Sequence, residues 1–178
     1  MQVVCVTGMP GCGKEEVLTV AQDLGFTIVR MGDVVREEAQ RRGLPITDGA
    51  VGGMAHADRL AQGYGIWAER TVPRIGGERV LVDGVRGRAE ISVFRKVFGD
   101  GLLVLAVHAS PKTRYERLQR RRRADDIASF EAFEARDARE LGWGLGDVIA
   151  TADLMLVNEG TFEEFRRQAR GALERFHG

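Results

Sequence analysis

The fold is decided by the stretch Gly8-Met9-Pro10-Gly11-Cys12-Gly13-Lys14. It follows a short apolar run, Val3–Thr7, and precedes a segment with helical spacing of apolar residues. Glycines let the backbone turn so that several N–H groups converge on a phosphate, and the N-terminus of the following helix adds positive potential. A lysine at the end of such a loop reaches the outer phosphates of a nucleotide. The stretch therefore predicts a phosphate-binding loop whose residues all contact nucleotide, with Lys14 also catalytic.

Glu15 departs from the pattern of such loops, because many of them place a Ser or Thr after the lysine as a Mg²⁺ ligand. Its carboxylate can approach the metal itself, or it can point outward from the first helical turn, where acidic side chains are favoured. Both interpretations stay open, and Glu15 is counted with the nucleotide site. The Mg²⁺ requirement holds in either case, since phosphates, waters and another carboxylate can hold the ion.

Asp83 is the candidate for that other carboxylate. It ends the apolar run Val80–Asp83, at the carboxyl edge of a predicted buried strand, where ligands bind in open α/β sheets. The alternative is an aspartate that only opens the turn at Asp83-Gly84. Because the same chain contains a phosphate loop, we expect Asp83 to be catalytic and to hold Mg²⁺ through water.

Apolar runs of strand length alternate with longer amphipathic stretches along the whole chain. The runs are nearly continuous in Val, Leu and Ile, which is typical of strands buried on both faces of a parallel sheet. This alternation of strand-like and helical stretches predicts an α/β fold with helices on both faces of the sheet. The predicted strands are Val3–Thr7, Thr27–Arg30, Val80–Asp83, Leu102–His108 and Leu154–Asn158.

Two further groups of charged residues are candidates for phosphate contacts. Asp33 and Arg36 lie three residues apart after the second strand, so they share one face of a helix. They suit an acceptor phosphate, or they form an ordinary capped surface helix. The run at residues 120–126, four arginines followed by an alanine and two aspartates, suits a short lid over the transferring phosphates. A solvated charged face and a local RNA-backbone patch are the other interpretations.

The composition excludes several classes of protein. The 26 basic and 26 acidic side chains cancel, so the whole molecule has no net attraction for nucleic acid or an anionic membrane. Two cysteines, Cys5 and Cys12, give no disulfide framework. The apolar runs are too short to span a bilayer, and the N-terminus lacks the features of a signal peptide. We expect a cytoplasmic protein.

Four motifs, taken in order, resemble those of adenylate kinases. They are the loop at residues 8–14, Gly32-Asp33-Val34-Val35-Arg36, Asp83-Gly84-Val85-Arg86 and Arg123-Ala124-Asp125-Asp126. The segment Ala152–Gly160 looks more like dephospho-CoA kinases. Over nearly its whole length the chain is similar to an archaeal family of P-loop proteins that resemble both kinases, within the nucleoside monophosphate kinase superfamily.

The resemblance implies a P-loop NTPase fold, a three-layer sandwich around a five-stranded parallel sheet in the order 2-3-1-4-5. It implies a single kinase domain over residues 1–178, with an acceptor-binding flap at about 33–75 and a short lid at about 119–128. On the lid side, Arg120 and Arg123 would be catalytic, and Asn158 would line the donor nucleotide. The acceptor would be bound by Asp33, Arg36 and Arg86. Arg136 is counted with them from its position on the helix after the arginine run, where it adds to that cluster or pairs with a neighbouring glutamate.

These features predict an ATP-dependent kinase with Mg²⁺ as cofactor. The reaction would move the γ-phosphoryl group of ATP to a nucleotide-like small molecule, with a nucleoside monophosphate as the first candidate. Dephospho-CoA is the alternative acceptor. A different class, a nucleotide-dependent switch or RNA-associated NTPase, is kept open by the arginine run and by Glu15. The partners expected are the donor and the small acceptor, without nucleic acid or membrane, and the protein would be a monomer or a homodimer.

Overall fold

The computed structural model describes residues 1–120 and 129–176. The five predicted strands form one sheet in which all four pairings are parallel, in the order β2-β3-β1-β4-β5. The predicted sheet and its strand order are confirmed. The strands are β1 Gln2–Thr7, β2 Thr27–Arg30, β3 Arg79–Asp83, β4 Leu102–His108 and β5 Leu154–Val157.

Helices connect the strands and cover both faces of the sheet. Among the described residues the helices are α1 Lys14–Asp23, α2 Met31–Arg41, α3 Asp48–Gln62, α4 Ile66–Thr71, α5 Arg88–Phe98, α6 Pro111–Arg120, α7 Phe130–Gly142, α8 Leu145–Ala150 and α9 Phe162–Arg175. The first turn of α9 is fixed by a capping box, in which Thr161 and Glu164 each accept a backbone N–H of the other.

The core has two parts, one on each face of the sheet. On one face α1 and α9 contribute Leu18 and Phe165 to a buried cluster. On the other face the helices contribute Trp67 of α4 and Phe94 of α5. The central strands β1, β3 and β4 are mostly apolar because both of their faces are buried, which explains why their side chains do not alternate between apolar and polar. Three of the four residues of the edge strand β5 are exposed. The three-layer α/β sandwich is confirmed.

The segment at about 33–75, which the resemblance assigns to an acceptor-binding flap, is mostly helical, and its longest helix is α3. Trp67 lies under it and donates a hydrogen bond from its indole Nε1 to the carbonyl of Ala55 at 3.1 Å. The predicted short lid, by contrast, begins at the last two residues of α6, and its remainder, including Arg123, lies outside the described residues. Over the described ranges, no helix is both long enough and apolar enough to cross a membrane.

Candidate nucleotide site

The phosphate loop leaves the carboxyl end of β1 and ends where α1 begins, at Lys14. All three of its glycines, Gly8, Gly11 and Gly13, have backbone conformations and surroundings that exclude a side chain. Gly8 has a φ of 147°, and a Cβ there would lie 2.3 Å from the carbonyl oxygen of Val107. Gly13 has a φ of 101°, and a Cβ there would lie 2.2 Å from Nδ2 of Asn158. The glycines therefore allow both the turn of the loop and its close approach to the neighbouring strand ends.

Side chains from outside the loop hold it in place from behind. Asn158, at the end of β5, donates from Nδ2 to the carbonyl of Cys12 at 2.9 Å. Arg114 of α6 donates from Nη1 to the carbonyl of Pro10 at 3.1 Å. The same guanidinium forms a two-point pair with Asp137 of α7, with one N–O distance of 2.8 Å. The loop is thus fixed by contacts that involve its carbonyl groups and leave other backbone groups available to a ligand.

A cavity of about 660 Å³ lies in front of the loop. It brings together most of the residues predicted to bind nucleotide or to be catalytic, namely Gly8, Pro10, Gly11, Gly13, Lys14, Glu15, Asp83, Arg120 and Asn158. Met9 and Cys12 do not line it, and the Cys12 side chain is instead buried in the core. We refer to this space as the donor cavity.

The donor cavity contains buried polar atoms that have no hydrogen-bond partner among the described residues. Four such side-chain atoms occur, and three of them belong to residues of this cavity: Oδ1 of Asp83, Nη1 of Arg117 and Nε of Arg136. A buried polar atom without a partner costs free energy, so a cluster of them indicates that a ligand completes the site. Two N–H donors and one carboxylate oxygen suit phosphate groups together with a cation.

Asp83 has the surroundings expected of a carboxylate that serves a metal site. Burial raises its pKa above the ordinary value, although the neighbouring Lys14 and Arg30 favour the charged form. Its Oδ2 lies 3.5 Å from Nη1 of Arg30, while Oδ1 accepts no hydrogen bond from the part of the chain that the structure describes. Among the described residues there is no group of three or more Asp, Glu, His or Cys side chains that could enclose a metal ion. One open carboxylate oxygen fits Mg²⁺ held mainly by phosphates and water.

A second cavity, of about 670 Å³, lies beside the first. It contains all four residues predicted to bind the acceptor, Asp33, Arg36, Arg86 and Arg136. We call it the acceptor cavity. Five residues line both spaces, so the two cavities meet along a common wall formed by Glu15, Asp83, Gly84, Arg86 and Arg136.

The acceptor cavity is rich in arginine, and several of its guanidinium groups are paired with carboxylates. Arg36 pairs with Asp33 within the first turns of α2. Arg86 lies 3.5 Å from Glu140, and the buried Arg59 lies 3.2 Å from the buried Glu90. An anion that enters this cavity would therefore meet guanidinium groups whose positive charge is already partly neutralised by carboxylates.

The indole ring of Trp143 lies at the centre of these arginines. Three guanidinium groups lie over it, those of Arg59, Arg86 and Arg139, at 5.5, 5.0 and 5.7 Å from the ring centroid. The ring also lines the acceptor cavity. The Trp143 ring therefore contacts arginines from three elements around one cavity, namely α3, the loop after β3 and α7.

Sequence reasoning missed Arg30, Arg59 and the position of Trp143 in this site. For Arg30 a signal was available, because it ends the second predicted strand and therefore lies at the same carboxyl edge of the sheet as Asp83. For Arg59 and Trp143 we find no comparable signal. Arg59 reaches the cavity from α3 and Trp143 from the turn after α7, and the sequence does not specify how these helices pack.

Comparisons with known proteins agree with this architecture. A family model described as an AAA domain matches residues 7–134. A UPF0200 protein from Hyperthermus butylicus is 45% identical over 179 residues, which cover 99% of this chain and 95% of the relative.

Solved structures of low sequence identity have the same fold. A gluconokinase from Sinorhizobium meliloti superposes with a TM-score of 0.60 at 19% identity, over 98% of this chain and 92% of that one. A shikimate kinase from Bacteroides thetaiotaomicron superposes with a TM-score of 0.66 at 15% identity, over 97% and 98%. At this identity the likeness concerns the fold.

Proposed function

This chain belongs to the UPF0200 protein family and carries its AAA domain, and we propose that it is a Mg²⁺-dependent small-molecule kinase. It would transfer the γ-phosphoryl group of ATP to an anionic, nucleotide-like acceptor, with nucleoside monophosphates as the first class to test. The observation that carries the proposal is the wall shared by the two cavities, because a donor and an acceptor bound on either side of it would meet at Asp83, Arg86 and Arg136.

The donor side supplies groups for a triphosphate. The loop N–H groups and Lys14 would hold the outer phosphates, and Lys14 would exchange its present 2.5 Å contact with the Gly8 carbonyl for a phosphate oxygen. The open N–H groups of Arg117 and Arg136 would neutralise charge as the γ-phosphoryl group moves. In the transfer, an acceptor oxygen forms a bond to the γ-phosphorus, the bond to the β–γ bridging oxygen breaks, and ADP leaves.

Asp83 is the residue best placed to hold Mg²⁺, through a water on its open Oδ1. When bound, the ion would neutralise charge on the β- and γ-phosphates. Burial raises the pKa of Asp83, and Lys14 and Arg30 act against it by favouring the charged form that this role requires. These residues thus fit the ion that the reaction class needs.

The acceptor side favours a molecule with at least one anionic group. Arg36 and Arg86 offer planar forks that suit a phosphate, and Asp33 can orient a hydroxyl or the base of the acceptor. Gluconokinase and shikimate kinase are named for small hydroxy acids, so these compounds belong in the acceptor panel together with dephospho-CoA.

The test is product formation from ATP and Mg²⁺ with each acceptor, separated by chromatography. We expect one class of acceptor to give a phosphorylated product. Lys14→Ala should lower that rate by about 10²–10³-fold, the usual effect of removing one group that stabilises transition-state charge. Lys96→Ala is the matched control, because Lys96 is exposed on α5 and lines neither cavity.

Two results would contradict the kinase proposal. One is a Lys14→Ala variant that keeps the full rate. The other is ADP that accumulates at the same slow rate with every acceptor and without any, which would favour a nucleotide-dependent switch.

A further inference from the structure

Glu15, the residue that departs from the usual loop pattern, forms a two-point ion pair. Its Oε1 lies 3.1 Å from Nη1 of Arg30, and its Oε2 lies 3.2 Å from Nη2. The pair connects the first turn of α1 to the end of β2. Parallel alignment of an arginine fork with a carboxylate is the strongest common geometry for such a pair, so it fixes where the guanidinium lies.

The same guanidinium is also next to Asp83. The strand register places Arg30 beside Asp83 at the carboxyl ends of β2 and β3. Only Nη1 reaches Asp83, at 3.5 Å from Oδ2, and this is a longer contact than either bond to Glu15. The second oxygen of Asp83, Oδ1, is buried and accepts no hydrogen bond from residues 1–120 or 129–176. Arg30 therefore lies between two carboxylates and is bound more fully by one of them.

We propose that Glu15 is a positioning residue that acts through Arg30 and keeps Oδ1 of Asp83 available to the Mg²⁺–nucleotide complex. The inference rests on the proposed function, because it concerns the carboxylate of that same site. Glu15 holds the arginine fork in a direction from which only one N–H group reaches Asp83.

The physical reason is the preference of arginine for two-point contact with a carboxylate. Without the Glu15 carboxylate, Asp83 is the carboxylate already in contact with Arg30, and its Oδ1 is unpartnered. The fork would then turn onto both oxygens of Asp83 and occupy the position needed for the metal-bound water. Removal of a nearby partner that orients a metal-site carboxylate commonly lowers metal affinity by about 10–100-fold.

The same residue could instead be a direct metal ligand, and the two roles make opposite predictions in a double mutant. If Glu15 acts through Arg30, its substitution has no further effect once Arg30 is gone, since no fork remains to turn onto Asp83. If Glu15 contacts the metal itself, its substitution weakens metal binding whether or not Arg30 is present. A double-mutant cycle separates these cases.

The experiment measures the binding of a fluorescent, non-hydrolysable ATP analogue as a function of Mg²⁺ concentration, without any acceptor. We expect Glu15→Gln to raise the Mg²⁺ concentration for half-maximal binding by at least about tenfold. Arg30→Met and the double variant Glu15→Gln/Arg30→Met should agree with each other within about twofold. Glu37→Gln is the matched control, since Glu37 is an exposed carboxylate that also pairs with an arginine, Arg74, and lines neither cavity.

The variants should fold like the wild type, because the Glu15 and Arg30 side chains are 51% and 36% exposed. Thermal unfolding of each variant checks that its stability is unchanged. The inference is overturned if Glu15→Gln binds with wild-type Mg²⁺ dependence, or if its effect persists in the Arg30→Met background. A wild-type protein that binds the analogue with no Mg²⁺ dependence would overturn the metal role of Asp83 as well. These outcomes therefore distinguish a failure of the inference from a failure of the proposed function.

Discussion

The phosphate loop and the helical segment α2–α4 form opposite sides of the candidate site and are held by different forces. The loop is fixed by glycine backbone conformations, by the buried Cys12 side chain and by hydrogen bonds from Asn158 and Arg114. The helical segment is joined instead by a chain of ion pairs. Glu38 binds Arg42, Arg42 binds Asp58, and Asp58 binds Arg70, with N–O distances of 2.6, 2.7 and 2.8 Å.

This difference indicates how each side meets its ligand. In the donor cavity, buried atoms of Asp83, Arg117 and Arg136 have no partner among the described residues, so a nucleotide that displaces one contact, that of Lys14 with the Gly8 carbonyl, adds several bonds. In the acceptor cavity, Arg36 and Arg86 already pair with carboxylates, so an acceptor anion must exchange for them. Donor binding should therefore be the more preorganised of the two, and acceptor binding the more sensitive to salt.

Arg114→Ala should give the largest loss of stability and would show that the donor side depends on buried contacts. Arg114 is 4% exposed, and its guanidinium holds both Asp137 and the Pro10 carbonyl. Its removal leaves the Asp137 carboxylate without that partner, so we expect the free energy of unfolding to fall by about 3–5 kcal/mol. Urea denaturation measures this loss.

The matched control is Arg95→Ala, because the Arg95–Asp153 pair is 47% and 35% exposed. Solvent screens such a pair, so we expect a loss of at most about 1 kcal/mol. Equal losses in the two variants would contradict the view that burial makes the Arg114 contact important.

Asp58→Asn should destabilise the acceptor side by a smaller amount. Burial raises the pKa of Asp58, but the guanidinium groups of Arg42 and Arg70 outweigh it, so the pKa lies below its ordinary value and the carboxylate is charged. Replacing it with a neutral amide weakens the three charged hydrogen bonds from Arg42 and Arg70, and we expect a loss of about 1.5–3 kcal/mol. Amide hydrogen exchange should speed up in α2–α4 and stay unchanged in α1.

Glu69→Gln, an exposed change on α4, is the control for Asp58→Asn. If exchange in α1 increases as much as in α3, the two sides are one cooperative unit and the contrast between them is wrong.

The strands and the donor site could be predicted from the sequence because their signals are local. A strand buried on both faces is a continuous apolar run, and the spacing of Gly13 and Lys14 after such a run fixes the loop. The position of Asp83 followed from the general rule that ligands bind at the carboxyl edge of a parallel sheet.

The ion pairs that join different elements around the acceptor cavity could not be predicted, because their residues are far apart in the sequence. Arg42 and Asp58 are 16 residues apart, and Arg30 and Asp83 are 53 apart. Of the 26 basic residues three are lysines, which leaves 23 arginines and 26 acidic residues as candidate partners. Spacing alone does not select among so many combinations, and the pairing depends on how the helices pack.

Arg36→Ala should affect the acceptor and leave the donor nearly unchanged. Arg36 lines the acceptor cavity and not the donor cavity, and removing one charged hydrogen bond to an acceptor phosphate should raise the acceptor KM by about tenfold. The ATP KM should stay within about twofold. Steady-state kinetics with each substrate varied in turn gives both values, and Arg41→Ala, on an exposed residue of α2, is the control. Equal changes in both KM values would place Arg36 at the shared wall instead.

Glu38→Gln should give the smallest effect, and its pH dependence tests whether charge holds the acceptor side. Hydrogen bonds from Arg41 and then Arg42 lower the pKa of Glu38 to about 2. Because this folded-state pKa is below the unfolded value, Glu38 stabilises the protein above the ordinary glutamate pKa of about 4.3 and loses this contribution as the pH falls towards 2.

The Glu38 contribution should stay below about 1 kcal/mol, because Arg41 is 71% exposed and solvent screens its charge. Unfolding free energies of wild type and Glu38→Gln, measured from pH 7 to pH 3, should therefore differ at neutral pH and converge on acidification. A difference that stays constant over this range would mean that Glu38 contributes through packing of its side chain. Ion pairing would then not explain how α2 is held, and the contrast with the phosphate loop would rest on Asp58 alone.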